Sequence, residues 1–276
     1  MSRVELHHGA ATDVGLVRSA NEDSYLAAPP VFVVADGMGG HDHGDVASRF
    51  VVEEFARLAE DGIDGLDDEA CVTAVAATFR RVQARIASYD AQERAAGNAS
   101  SAAGTTAVVA MMLEHAPVAR WLLANVGDSR IYKFNEGRLE QVSVDHSVVQ
   151  ELIDSGRITR QQADGHPSRN VITRALGVTT NGEADYFSIP LSSAERVLLC
   201  SDGVSGMVDD ALIEQILGRT GDPRDAAEQL VAAAVTAGGR DNATAVVVDV
   251  VGLAHETTYD SDAQRLSLEE KLGALP

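Results

Sequence analysis

Residues 106–134 constrain the fold most. Three apolar, β-rich runs, TAVVAMML, ARWLLANV and RIYKF, follow one another there with very little between them. EHAP separates the first two, and NEGR follows the third. Connections this short suit hairpins, because a parallel crossover needs about a dozen residues or more. The stretch 105–143 therefore reads as an antiparallel meander, with two further β-runs, RVLLCS and ATAVVVDV, later in the chain. Helical spacing lies outside this block. It is strongest over 69–94, where Val72, Val75, Phe79, Val82 and Ile86 recur three and four apart, and it returns over 46–60 with Val46, Phe50, Val51, Phe55 and Leu58. Shorter helices fit 147–155, 209–218 and 224–237. Helices on both sides of a strand-rich block predict an α+β protein in which helices cover antiparallel sheet. Residues 5–250 read as one domain without linker or repeat. The segment 251–276 loses β character and reads as a tail, flexible or with a short helix.

With 276 residues, 45% of them hydrophobic, the chain can fill a full core. Lys and Arg number 22 against 42 Asp and Glu, a net charge of −20. Such a surface repels polyphosphate backbones, so nucleic acid is not an expected partner. Cys71 and Cys200 each sit in an apolar stretch and read as buried free thiols of a reducing compartment. The N-terminus lacks a basic-then-apolar leader, and no run approaches the roughly 18 apolar residues that cross a bilayer. The expectation is a cytoplasmic protein with no membrane partner.

The stretch VFVVADGMGGHDHGD, residues 31–45, places Asp36 at the end of an apolar strand, followed by glycines, Met38 and a turn holding His41 and His43. It could hold a metal through the histidines, a phosphate on the glycine backbone, or a metal through Asp36. Several phosphate chemistries fall away. The only lysines, Lys133 and Lys271, lie in no P-loop or kinase context. A cysteine phosphatase needs arginine six residues after its nucleophile, where this chain has Ala77 and Gly206. HExxH, CxxC and GxSxG are absent. A set of aspartates remains. Asp36 follows VFVVA, Asp202 follows RVLLCS, Asp128 follows WLLANVG, and Asp241 precedes ATAVVVDV. One such residue is an ordinary turn aspartate. Four of them, with NED at 21–23, would concentrate negative charge that a hard divalent cation relieves, and all-oxygen ligands point to Mg²⁺ or Mn²⁺.

Eight ordered blocks carry a family resemblance: RSANED (18–23), DGMGG (36–40), GTT (104–106), ANVGDSR (124–130), DHS (145–147), HPSRNVITRALG (166–177), SDGV (201–204) and DN (241–242). They are similar to those of the metal-dependent protein phosphatases of type 2C, the PPM family, in its bacterial form. The resemblance runs from about Gly9 to Val250. It implies a four-layer αββα sandwich of two antiparallel sheets flanked by helices. It also implies hydrolysis of phosphoserine and phosphothreonine in proteins, Ser/Thr kinases and their substrates among them, by a monomeric enzyme with two Mn²⁺ or Mg²⁺ ions. Asp36 would bridge the ions and the Gly37 carbonyl would bind one. Asp202 and Asp241 would complete the other, while Glu22 and Asp23 act partly through waters. Asp128 would hold a third, weaker ion, and Arg18 would grip the substrate phosphate.

The implied chemistry is direct attack on phosphorus by a metal-activated water, with no phosphoenzyme. Relatives in higher organisms carry histidine where this chain has Met38. The leaving group must then be protonated by another route, a metal-bound water or, less simply, His41 or His43. His146 reads as a structural hydrogen-bonding residue. The segment 147–170 falls where the family has a flap beside the active site, and its Arg157, Arg160 and Arg169 would either meet phosphopeptide acids or merely be solvated. A turnover-deficient phosphoprotein-binding relative, and a phosphatase of a phosphorylated anti-sigma antagonist, are the alternative functions.

Overall fold

The computed structural model describes residues 4–39, 43–63, 65–98, 102–114, 119–163, 165–178 and 182–252. Gly40, His41 and the tail beyond Gly252 therefore lie outside the described residues. The first part of the chain forms β1 (Glu5–Asp13), β2 (Ser24–Ala28), β3 (Val31–Ala35), β4 (Gly37–Gly39), α1 (Gly44–Asp61) and α2 (Asp68–Ala95). Next come β5 (Ala103–Thr105), β6 (Ala107–Leu113), β7 (Arg120–Val126), β8 (Arg130–Asn135), β9 (Arg138–Gln141), α3 (Val148–Asp154) and α4 (Arg160–Ala163). The last part holds β10 (Asp185–Pro190), β11 (Arg196–Cys200), α5 (Asp202–Ser205), α6 (Asp210–Arg219), α7 (Pro223–Thr236) and β12 (Ala243–Val251). The periodic segments of the sequence emerge as α1, α2, α3, α6 and α7. Aspartates start three of them: Asp67 accepts from Ala70 N–H, Asp209 from Leu212 N–H and Asp222 from Arg224 N–H.

The strands form two five-stranded antiparallel sheets, ordered β1-β12-β11-β8-β9 and β10-β7-β6-β3-β2. Burial shows why some strands are apolar at every position. In β3, Val31, Val33 and Ala35 pack with Val51 and Phe55 of α1 and Phe79 and Val82 of α2, while Phe32 and Val34 meet Ile131, Val197 and Val246 of the opposite sheet. A strand covered by helices on one side and a second sheet on the other needs apolar residues on both faces. β11 has the same character: Val197 and Leu199 face the first sheet's partner, and Leu198 and Cys200 face α6 and α7. The layers are therefore helix, sheet, sheet, helix, as the resemblance implied. Cys71 and Cys200 are both buried and free.

The expected meander over 105–143 is broken in one place. β6 pairs with β7 in one sheet, and β8 pairs with β9 in the other. The chain changes sheet at Gly127–Asp128–Ser129 instead of folding β8 back beside β7. Gly127 has φ +106°, a conformation that L side chains rarely adopt. Two apolar hairpins joined by a short turn look like one meander, because the choice between pairing and stacking is made by contacts distant in sequence.

Candidate active site

Antiparallel register brings the aspartates to one end of the sandwich. In the first sheet, Cys200 at the end of β11 lies opposite Ala245 near the start of β12 and opposite Arg130 at the start of β8. In the second, Ala35 at the end of β3 pairs with Ser24 at the start of β2, and Val126 at the end of β7 pairs with Ala107 at the start of β6. Asp23, Asp36, Asp128, Asp202 and Asp241 are each the next residue or two beyond these strand ends. Chain direction alone thus gathers residues from five separate parts of the sequence.

Each of these aspartates is half-buried. Burial and the carboxylates of Asp23, Asp202, Asp128 and Asp241 push Asp36 well above the usual carboxylate range. Asp202 is raised by burial and by Asp241, although it shares a hydrogen bond with Asp36. Burial pushes Asp23 up to about 7, against the lowering effect of the Thr244 and Ser201 hydroxyls. Asp128 is raised to about 8 by burial, Asp202 and Asp145. The common cause is desolvated like charge with too little cation to balance it. Arg18 supplies part of the balance, its Nη2 donating to Asp241 Oδ2 at 2.6 Å. Arg130 is bound elsewhere, with a forked contact to Asp145 of 3.0 and 2.7 Å.

A hard cation fits this donor set. The oxygens are carboxylates, and Asp23 Oδ1 is buried with no hydrogen-bond partner among the described residues. A buried anionic oxygen without a donor is expensive, and a divalent ion satisfies it directly or through a water. Among the described residues, no three His, Cys, Asp or Glu side chains are drawn together closely enough to hold a metal as they stand.

The supporting contacts are specific. Asp36 N–H donates to Thr106 Oγ1 at 3.1 Å, its carbonyl accepts from Thr106 N–H at 2.9 Å, and Thr106 Oγ1 lies 2.7 Å from Ser129 Oγ. A Cβ on Gly37 would fall 2.4 Å from the Gly44 carbonyl oxygen and 2.5 Å from that of Glu22, so only glycine fits. Met38 pairs with Gly104 in the β4–β5 ribbon. His43 is turned towards α2, its Nδ1 2.8 Å from the Tyr89 hydroxyl. Asn242 was visible in the sequence only as the second residue of DN. Its amide accepts from Glu22 N–H at 2.8 Å and donates to the carbonyls of Val14 and Ala20, both at 2.9 Å, holding the Arg18 loop against β12. Ser201 shows in the sequence only as the residue before Asp202, yet its hydroxyl donates to Asp23 Oδ2 at 2.8 Å. The available signal was a small polar neighbour, Ser201 before Asp202 and Asn242 after Asp241.

Residues 18–235 match the family described as Protein phosphatase 2C. The chain belongs to that family. This phosphatase is 35% identical over 249 residues to the serine/threonine phosphatase stp of Listeria innocua serovar 6a, covering 88% of this chain and 96% of that protein. The crystal structure of the Mycobacterium tuberculosis serine/threonine phosphatase PstP/Ppp superposes with a TM-score of 0.78 at 36% identity, over 88% of this phosphatase and 98% of that chain. A structure of the catalytic domain of the serine/threonine protein phosphatase PstP in complex with two manganese ions matches with the same TM-score at 35% identity, over 91% and 100% of the two chains. Among the described residues of this phosphatase, no helix is long and apolar enough to cross a membrane.

Proposed function

We propose that this chain hydrolyses phosphoserine and phosphothreonine in proteins with the help of Mn²⁺ or Mg²⁺, and that Asp36, Gly37, Asp202, Asp241, Glu22, Asp23 and Asp128 hold the ions. The observation that carries the reading is the convergence of five half-buried aspartates from five strand ends, one of them with an orphaned oxygen. Bound divalent ions would supply a water acidified to near neutrality and positive charge for the phosphoryl oxygens. Asp36, which feels the carboxylates of Asp23, Asp202, Asp128 and Asp241, would be shared by the ions in this reading. Arg18 presents a guanidinium at the rim, half exposed and anchored to Asp241, with geometry suited to a phosphate. Serine and threonine are poor leaving groups, Met38 has no proton to give, and Nδ1 of His43 is engaged by the Tyr89 hydroxyl. Residues 5–250 form the catalytic unit, with 147–170 as a flap whose exposed Arg157, Arg160 and Arg169 would meet acidic phosphopeptides. Phosphorylated Ser/Thr kinases and their targets are the partners of this reading, and the working form is a cytoplasmic monomer.

Metal-stripped protein assayed on a phosphothreonine peptide should be inactive in EDTA and recover with Mn²⁺ or Mg²⁺. Asp36→Asn and Asp202→Asn should each lose about 100-fold or more in kcat with the fold intact. Turnover without metal, or an unimpaired Asp36→Asn variant, would refute the assignment. Tight phosphoprotein binding with no turnover under any metal would instead mark a binding protein.

A further inference from the structure

His146 is 5% exposed, and its ring lies on none of the carboxylates assigned to metal. It grips the turn that carries Asp128 from both sides of one residue. Its backbone N–H donates to the Gly127 carbonyl at 3.0 Å, and its Nδ1 accepts from Gly127 N–H at 3.1 Å. Asn125, fully buried, adds a 3.3 Å contact from Nδ2 to the same Gly127 carbonyl. The accepting role of Nδ1 requires the ring proton to sit on Nε2. Asp185 Oδ2 lies 3.1 Å from Nε2 to receive it, and Arg174 Nη1 holds the other oxygen of Asp185 at 2.8 Å. The same residue closes the stem of the 147–170 segment: Thr173 N–H donates to the His146 carbonyl at 2.7 Å, and Ser147 bridges Ile172.

We propose that His146 is a positioning residue for Asp128, holding the Gly127 turn through a neutral, Nε2-protonated ring whose tautomer Asp185 fixes. The inference rests on the reading of Asp128 as a ligand of the third, weaker ion. It follows from the donor inventory of the ring. Arg174 Nη1 already lies 3.3 Å from Nε2, and removing Asp185 would take away the acceptor that offsets this opposition of two donors. The ring would then favour the other tautomer, turn its lone pair towards Arg174, and set an N–H against the Gly127 N–H. The clamp would open without any change to His146 itself. Partners of this kind around a metal site typically contribute a factor of roughly 10–100 in metal affinity.

The test uses full-length protein and Mn²⁺ alone, with free Mn²⁺ counted by electron paramagnetic resonance. Amide exchange at Gly127 is followed in the metal-free protein. Asn places an acceptor about where Nδ1 sits, whereas Gln keeps a donor for Asp185 and loses that acceptor. His146→Gln and Asp185→Ala should weaken the lowest-affinity Mn²⁺ site by about 10-fold or more and speed Gly127 exchange, whereas His146→Asn should stay within about threefold of wild type on both. Asp185 is 40% exposed at its side chain, so its truncation tests the clamp without opening the core. Asp128→Ala should abolish the weakest site. If Asp128→Ala does so while His146→Gln and Asp185→Ala leave binding and exchange unchanged, His146 has no positioning role. If Asp128→Ala leaves all Mn²⁺ binding unchanged, the assignment of Asp128 fails, and the role of His146 with it.

Discussion

Asn242 shows how much of the site rests on side chains that never touch a reacting group. It is 5% exposed, and three of its hydrogen bonds go to the loop of residues 14–22. A buried polar group stripped of its partner costs about 1–3 kcal/mol, and Asn242→Ala would strand one amide N–H and two carbonyls at once. The expected loss is roughly 3 kcal/mol in urea unfolding, partly relieved by water entering the gap. Turnover should fall as well, because Arg18 and Glu22 sit on the released loop. A loss below about 1 kcal/mol would mean the loop is held by something else. Gly37 makes the complementary point through backbone approach: the carbonyl oxygens of Gly44 and Glu22 come so close that no Cβ fits there.

Elements are joined here by arginine–carboxylate pairs as well as by apolar contact. Arg196 on β11 is 7% exposed and makes a forked pair with Asp249 on β12, at 2.5 and 2.7 Å. Its remaining donors reach the carbonyls of Leu217, Thr220 and Gly221, the otherwise orphaned C-terminal end of α6. One side chain thus ties two strands to a helix end. Breaking a buried pair from one side leaves an uncompensated charge, so Arg196→Met should cost about 3–5 kcal/mol by calorimetry or denaturant. Removing the stranded carboxylate too, in Arg196→Met/Asp249→Val, should recover part of that loss. Equal destabilisation of the single and double variants would locate the energy in the carbonyl contacts instead. On the opposite face, Glu54 is 2% exposed at its side chain and held by Arg57, Arg81 and Arg85, which fixes α1 to α2 in the same manner.

At the scale of the whole molecule, the acidic end of the sandwich couples stability to pH and to metal. Asp36 and Asp202 are raised, Asp23 to about 7 and Asp128 to about 8, so the folded, metal-free chain binds protons that the unfolded chain has already released. A raised folded pKa stabilises below the unfolded value, near 4, and that stability drains away as pH climbs through the folded pKa. Metal-free protein should therefore melt at progressively lower temperature between about pH 5 and pH 9. Saturating Mn²⁺ or Mg²⁺ should flatten or reverse the trend, because the ions replace the protons and bind only the folded state. A melting temperature that is insensitive to pH without metal would contradict the crowding of these carboxylates.

VFVVA, RVLLC and the three-and-four spacing over 69–94 determined the strands and helices by themselves, because burial on both faces or on one stripe leaves its mark residue by residue. Asp36, Asp128, Asp202 and Asp241 were likewise legible, since an acid at the end of an apolar run is a local pattern. The change of sheet at Gly127–Asp128–Ser129 was not legible: whether β8 pairs with β7 or stacks across from it depends on β11, some 65 residues further on. The ties of Asn242 to Val14, of Ser201 to Asp23 and of His146 to Asp185 were hidden for the same reason. A hydrogen bond needs two ends, and a sequence displays each end without saying which other one the fold will set within 3 Å of it.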